Sequence, residues 1–282
     1  MADVPRSRPK KVLRSVGRWC LFLVLFYGVI VFFTSWFENR LVFIPTRADE
    51  DWIEPTSPGF EDVWITSDDG TRIHAWYLPH PDPNAGTLLY SHGNGGNISY
   101  RGPILKLLQQ HLGRSILAYD YPGYGKSEGR STEAGCYAAG DAAYRWLTVD
   151  RGFPAGKVVL FGESLGGGVA IDLATRHDHE ALVIAYTFTT LPAAAKFHYP
   201  FLPCETLMVN RFDNLAKIGQ CRRPVFLMHG TADVVVPFSQ GEMLFAAANE
   251  PKRFLRLDHW HHDIPTDDGF YLAIQDFLKE PK

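Results

Sequence analysis

The segment 157–176 constrains the fold of this chain more than any other. Lys157-Val158-Val159-Leu160-Phe161 reads as a buried strand, and Leu165-Gly166-Gly167-Gly168-Val169-Ala170 opens a helix of small residues. Only Gly162-Glu163-Ser164 joins them, so the chain must turn sharply. The turn forces Ser164 into a strained backbone and crowds the positions two before and two after it, which is why Gly162 and Gly166 stand where a Cβ would clash. It leaves the Ser164 hydroxyl exposed at a helix N-terminus, where the dipole and free amides, that of Leu165 among them, stabilise developing negative charge. This is the strand, elbow and helix context in which the serine of a GxSxG motif acts as a nucleophile. A chance match, with Ser164 merely capping a helix, would not supply both the strand and the glycine-rich helix.

The remaining chain predicts a frame for that elbow. Short β-rich runs at 87–91, 115–119, 157–161, 181–185, 224–228 and 253–257 alternate with segments 98–111, 132–149, 165–176, 239–248 and 267–278, whose apolar residues recur at mixed three and four spacing. The alternation predicts an α/β fold with a mainly parallel central sheet flanked by helices. Ahead of it, 60–67 and 71–78 flank Asp68-Asp69-Gly70 and predict an antiparallel hairpin. The segment 186–220 breaks the rhythm: about 35 residues, with Pro192, Pro200, Pro203 and several aromatics, are too many for an ordinary connection. It is expected to be a short lid-like insertion. The 282 residues suit a single catalytic domain, placed at 60–282. A net charge of −3 offers no basic face for nucleic acid. Cys20, Cys136, Cys204 and Cys221 lack CxxC spacing and point to neither a zinc site nor a disulfide framework.

Basic residues concentrate in 1–18, where Arg6, Arg8, Lys10, Lys11, Arg14 and Arg18 precede the apolar stretch 19–37. That stretch, at 1.5 Å per residue, spans roughly 28 Å, close to the thickness of a hydrocarbon core. A cleaved signal peptide is the rival reading, but its apolar core is usually shorter, and Thr34-Ser35-Trp36-Phe37-Glu38 makes a poor cleavage site. A signal-anchor helix is therefore expected. With the positive charges ahead of the helix, a single-pass topology puts the N-terminus in the cytoplasm and the catalytic domain on the periplasmic, extracellular or lumenal side. Residues 38–59, with aromatics, charges and three prolines, read as a connector lying against the domain.

A serine hydroxyl is a weak nucleophile near neutral pH and needs a histidine base oriented by an acid. On such elbows the partners follow in the order serine, acid, histidine. Asp233, where the strand pattern from Pro224 breaks into a loop, is the expected acid, with Asp258 and Asp263 as alternatives. The base lies within Leu257-Asp258-His259-Trp260-His261-His262-Asp263-Ile264, where spacing alone does not choose among three histidines. Nothing upstream completes a metal-ligand set with them. The loop His92-Gly93-Asn94-Gly95-Gly96-Asn97 follows a strand, and its glycines allow close backbone approach. The amide of Asn94 is the expected second oxyanion donor beside that of Leu165. A phosphate cradle would end in Lys-Ser/Thr, which this loop lacks, and His92 reads as a brace for the loop.

Five motifs in this order, His92-Gly93-Asn94, Asp120-Tyr121-Pro122-Gly123-Tyr124-Gly125-Lys126-Ser127, Gly162-Glu163-Ser164-Leu165-Gly166, His229-Gly230-Thr231-Ala232-Asp233 and His261-His262-Asp263, resemble those of membrane-tethered α/β-hydrolase domain-containing serine hydrolases. The likeness runs from the Leu41-Val42-Phe43-Ile44-Pro45 segment to the C-terminal helix and includes Phe188-Thr189-Thr190-Leu191 and Arg211-Phe212-Asp213. It implies the α/β-hydrolase fold. Relatives carry His-Asn-Asp near the C-terminus, so the resemblance implies His261 as base. His262, standing where the family has Asn, is the competitor, and His259 stands where glycine is usual nearby. The expected activity is hydrolysis of carboxylic or thio esters through Ser164, His261 and Asp233, with no cofactor and no metal, on a small-molecule, lipid-like or acylated substrate. Phe188, Phe197, Tyr199 and Phe201 are candidates to line an acyl site. A serine peptidase or amidase on the same fold and a non-catalytic membrane-tethered interaction protein are the alternatives, and nothing in the sequence bears on oligomeric state.

Overall fold

The structure, a computed structural model, describes residues 8–280. The first residues of the basic segment, Arg6 included, lie outside the described residues. The chain begins with α1 (Arg8–Trp36), turns at Phe37, and continues through α2 (Glu38–Val42) and β1 (Ile44–Pro45). The hairpin follows as β2 (Glu61–Thr66) and β3 (Arg72–Leu78), turning at Gly70 with φ 85°. Then come β4 (Thr87–Ser91), β5 (Gly95–Gly96), α3 (Gly102–Leu112), β6 (Ser115–Tyr119) and α4 (Glu133–Arg145). The elbow joins β7 (Val158–Glu163) to α5 (Leu165–Arg176), and β8 (Ala181–Ala185) follows. Segment 186–220 carries α6 (Leu191–His198), α7 (Cys204–Leu207) and α8 (Asn214–Ile218). β9 (Val225–Gly230), α9 (Phe238–Ala247), β10 (Lys252–Leu257) and α10 (Asp268–Lys279) complete the chain.

Eight strands form one sheet in the order β10-β9-β8-β7-β4-β6-β3-β2. β3 runs antiparallel to β2 and β6, and the other neighbours are parallel. A tight turn suffices between β2 and β3, whereas each parallel pair needs a crossover long enough to hold a helix. Because side chains alternate along a strand, Leu89, Leu117, Leu160 and Leu182 form a row on one face, packed with residues of α4, α5 and α9. Tyr90, Ala118, Phe161 and Val183 form the opposite row, packed with α3 and α10. The parallel strands from β4 and β6 to β9 are buried on both faces, while β10 at the sheet margin is half-buried, and the strand ends bring Ser91, Glu163 and Gly230 to one edge of the sheet. Crevices at such strand ends are where open α/β sheets bind ligands.

Two expected helices differ in detail. Pro103 stands in the first turn of α3, and residues Ile98–Arg101 before it form a separate 3₁₀ turn. The segment expected to be helical to 149 leaves the α-helix at Arg145 and widens into a π turn at Trp146–Asp150.

α1 stands apart from the sheet: Leu13–Trp36 covers 24 residues with a mean hydropathy of 2.2, long and apolar enough to cross a membrane. Most of its apolar side chains are exposed, with Ile30 and Val31 half-buried. Residues 38–59 are tied to the domain at several points. β1 pairs with β5, Arg47 bridges to Gly125, and Trp52 packs edge-on against Trp76 at 5.3 Å. The buried Glu38 carboxylate accepts from the N–H groups of Val209 and Asn210, which joins the end of α1 to segment 186–220.

Candidate active site

Ser164 sits between β7 and α5 with φ 50°, a left-handed conformation that costs energy for any residue bearing a Cβ. Neighbouring backbones hold it there: its N–H donates to Ala185 O at 2.9 Å, and its carbonyl accepts from the Thr187 hydroxyl at 2.6 Å. A Cβ on Gly162 would lie 2.3 Å from Gly166 O, and one on Gly166 would lie 2.0 Å from Ser91 O. Only glycine lets the elbow close against β4. Leu165 opens α5, so its N–H has no acceptor within the helix.

The loop after β4 lies beside that amide. Asn94 is pinned through its side chain, which donates to Val42 O at 2.6 Å and accepts from the Tyr124 hydroxyl at 2.7 Å. Asn97 donates to Thr46 O and Asp51 O, so the connector after α1 clamps this loop from outside. Glu163 clamps it from within, accepting from Gly93 N–H at 2.8 Å, the Tyr90 hydroxyl at 2.8 Å and Arg101 Nε at 2.7 Å. Burial would raise the Glu163 carboxyl, but Arg101 and these donors hold it below its ordinary range. His92 is buried, its carbonyl accepting from the Tyr121 hydroxyl at 2.7 Å, which fits a bracing role.

Asp233 lies just past β9, where its Oδ1 accepts from the N–H groups of Val235 and Val236. Its Oδ2 accepts from His262 Nδ1 at 2.7 Å, and His229 Nε2 lies 3.2 Å from the same oxygen. Burial would raise this carboxyl, yet the hydrogen bonds from His229 and His262 hold it well below the usual carboxylate range. Asp233 is therefore ionised across the neutral range. On the far side of the ring, His262 Nε2 lies 2.9 Å from Ser164 Oγ.

The structure thus corrects the expectation placed on His261. Ser164, His262 and Asp233 meet, while His261 is exposed and donates through Nδ1 to Ala232 O at 2.9 Å. The reason lies in how the loop after β10 is pinned. Trp260 O accepts from Ala232 N–H at 2.9 Å, His259 turns the chain with φ 60°, and the Trp260 and His261 backbones pack onto Gly230, where a Cβ would be 2.3 Å from Trp260 O. Adjacent side chains then diverge, His261 outward and His262 inward. Asp258 is exposed and paired with Arg256 at 2.7 Å, and Asp263 is exposed, so neither meets the histidine facing Ser164.

Ser164, Leu165 and Asn94 line a cavity of about 420 Å³ whose walls are mostly apolar. Of the four aromatics expected there, Phe188 and Tyr199 line it, whereas Phe197 and Phe201 lie outside the lining and are exposed. Thr34, Ser35 and Glu38 also line it. Sequence reasoning missed these because the approach of α1 to segment 186–220 leaves no local pattern. Glu163 was missed too, although its place in the elbow beside the buried strand was a usable signal.

A family model described as the alpha/beta hydrolase fold matches residues 86–197. The uncharacterized protein Rv2307c of Mycobacterium tuberculosis is 35% identical over 257 residues, covering 90% of this chain and 91% of its own. The alpha/beta hydrolase domain-containing protein 17B of Xenopus tropicalis is 30% identical over 236 residues, covering 83% and 80%. Among solved structures, the Pyrococcus furiosus esterase Pf2001 superposes with a TM-score of 0.68 at 21% identity, covering 84% of this chain and 97% of that one. That likeness is one of fold.

Proposed function

The chain belongs to the α/β-hydrolase family, and we propose that it is a membrane-anchored serine hydrolase that cleaves carboxylic or thio esters. The observation that carries this reading is the chain of hydrogen bonds from Ser164 Oγ through His262 to the ionised Asp233, opening on an apolar cavity. In it, Ser164 attacks the ester carbonyl as His262 Nε2 takes the hydroxyl proton. The Asp233 carboxylate holds the Nδ1–H tautomer and offsets the imidazolium charge. The N–H groups of Leu165 and Asn94 receive the oxyanion. Collapse expels the alcohol or thiol with the proton from His262 and leaves an acyl group on Ser164. Water, losing a proton to His262, then attacks the acyl-enzyme; the acid departs and Ser164 recovers its proton.

In this reading α1 is the anchor, with the N-terminus in the cytoplasm and the domain across the membrane, as the basic residues ahead of it support. A fluorophosphonate probe tests the chemistry. The wild-type protein is expected to label and the Ser164→Ala variant to remain unlabelled; a folded wild-type protein that fails to label removes the nucleophile assignment. Turnover of p-nitrophenyl esters against aminoacyl amides separates an esterase from an amidase on the same fold.

A further inference from the structure

The last turns of α1 form part of the cavity wall through Thr34 and Ser35, so the membrane-crossing helix reaches the site itself. A second contact fixes the depth of that approach. The Tyr27 hydroxyl donates to Phe201 O at 2.7 Å. Tyr27 precedes the end of α1 at Trp36 by roughly 14 Å along the axis, at 1.5 Å per residue. The tip of the lid-like segment therefore lies alongside the span, well below its end. Irregular backbone at that depth is excluded from lipid unless its polar groups are paired.

The tip is composed for such a place. Pro200 and Pro203 have no N–H to satisfy. The N–H groups of Tyr199, Leu202 and Cys204 donate to Ala195, Tyr199 and Leu202 carbonyls at 2.8, 3.0 and 2.9 Å. The carbonyl of Phe201 is taken by Tyr27. Outward from this largely paired backbone, Phe197, Tyr199 and Phe201 are 54%, 53% and 64% exposed. Large apolar side chains presented together mark a surface meant to be covered, and the apolar span beside them identifies the cover as lipid.

We propose that the lid tip, residues 197–204, sits in the hydrocarbon of the leaflet on the catalytic domain's side, and that the cavity takes the acyl chain of a membrane-resident ester directly from that leaflet, with α1 forming one wall of the entry. The substrate class is thus a long-chain acyl ester already dissolved in the bilayer. The chemistry rests on the proposed role of Ser164; the placement of the tip does not.

The test uses the full-length protein in phosphatidylcholine vesicles. Cys20 is the exposed cysteine among the four and is replaced by Ser. A nitroxide is then attached at Phe201→Cys or, as an aqueous reference, at Val149→Cys, a position 73% exposed. Power saturation is expected to show the label at 201 open to oxygen and closed to a nickel chelate, and the label at 149 open to the chelate. Equal access of the chelate to both overturns the placement. In the same vesicles, Phe201→Asp is expected to slow hydrolysis of p-nitrophenyl palmitate by about tenfold or more and to leave p-nitrophenyl acetate in solution unchanged, which also reports that the variant folds. If Phe201→Asp impairs folding, Phe201→Ser is expected to give the same ordering. An equal effect on both esters overturns the route of entry. A lipid-facing label at position 201, together with an unlabelled wild-type protein that hydrolyses neither ester, supports the placement and rejects the Ser164 chemistry.

Discussion

Replacing His262 and His261 one at a time discriminates between two neighbours that the sequence leaves nearly equivalent. His262 links Ser164 Oγ at 2.9 Å to Asp233 Oδ2 at 2.7 Å. His262→Ala removes the proton acceptor of the first step, the proton donor to the leaving group, and one donor to the ionised Asp233. A positioned acid-base group contributes about 10² to 10⁴ in rate. With both transfers passing through this ring, kcat/KM is expected to fall by about 10⁴, roughly 5.4 kcal/mol at 1.36 kcal/mol per tenfold. His261 makes one hydrogen bond, to Ala232 O, from an exposed ring. Its loss costs about 0.5–1.5 kcal/mol of stability, and kcat/KM of His261→Ala is expected to stay within about twofold. Initial rates on p-nitrophenyl butyrate, with circular dichroism as the check on folding, measure both. If His261→Ala abolishes turnover and His262→Ala does not, the assignment read from the geometry is wrong.

Three further outcomes follow from the same contacts. Gly166→Ala would push a Cβ to 2.0 Å from Ser91 O, so thermal unfolding should report a loss of about 3 kcal/mol, the upper end of ordinary overpacking, and a wild-type melt would remove the argument for the elbow. Glu163 is more acidic folded than its ordinary value of 4.5, so its stabilisation is full above that pH and is lost as the pH falls through the lower folded value; Glu163→Gln should lose less stability below about pH 4.5 than the wild type, and parallel curves would contradict the sign. Glu38→Ala strands the N–H groups of Val209 and Asn210, so hydrogen exchange should quicken there and leave β4 and β7 unchanged; unaltered exchange at 209–210 would show that Glu38 does not hold the segment.

The α/β frame was legible because its signals are local. Buried parallel strands such as Val225–Gly230 read as short apolar runs, helices as mixed three and four spacing, and the elbow as two glycines whose absent side chains the fold requires. Asp233 was legible for a related reason: a strand pattern ending in a loop marks the sheet edge where Ser164 also lies. The boundary between α4 and its π turn was not legible, since no residue there breaks a helix.

Side-chain direction and distant approach belong to the tertiary structure. Whether His261 or His262 faces Ser164 depends on how the loop is pinned by Gly230, Ala232 and the left-handed His259, contacts with β9 that no spacing encodes. The resemblance favoured His261 because a motif aligns residue types, whereas a one-residue change in register points a side chain the other way. The closeness of α1 to the cavity is of the same kind. Residues 19–37 announced an apolar helix through composition alone, and Ser164 announced an elbow through its neighbours. That the two share a cavity, with Tyr27 against Phe201 and Glu38 holding Val209 and Asn210, arises only when chain segments far apart in sequence meet in space.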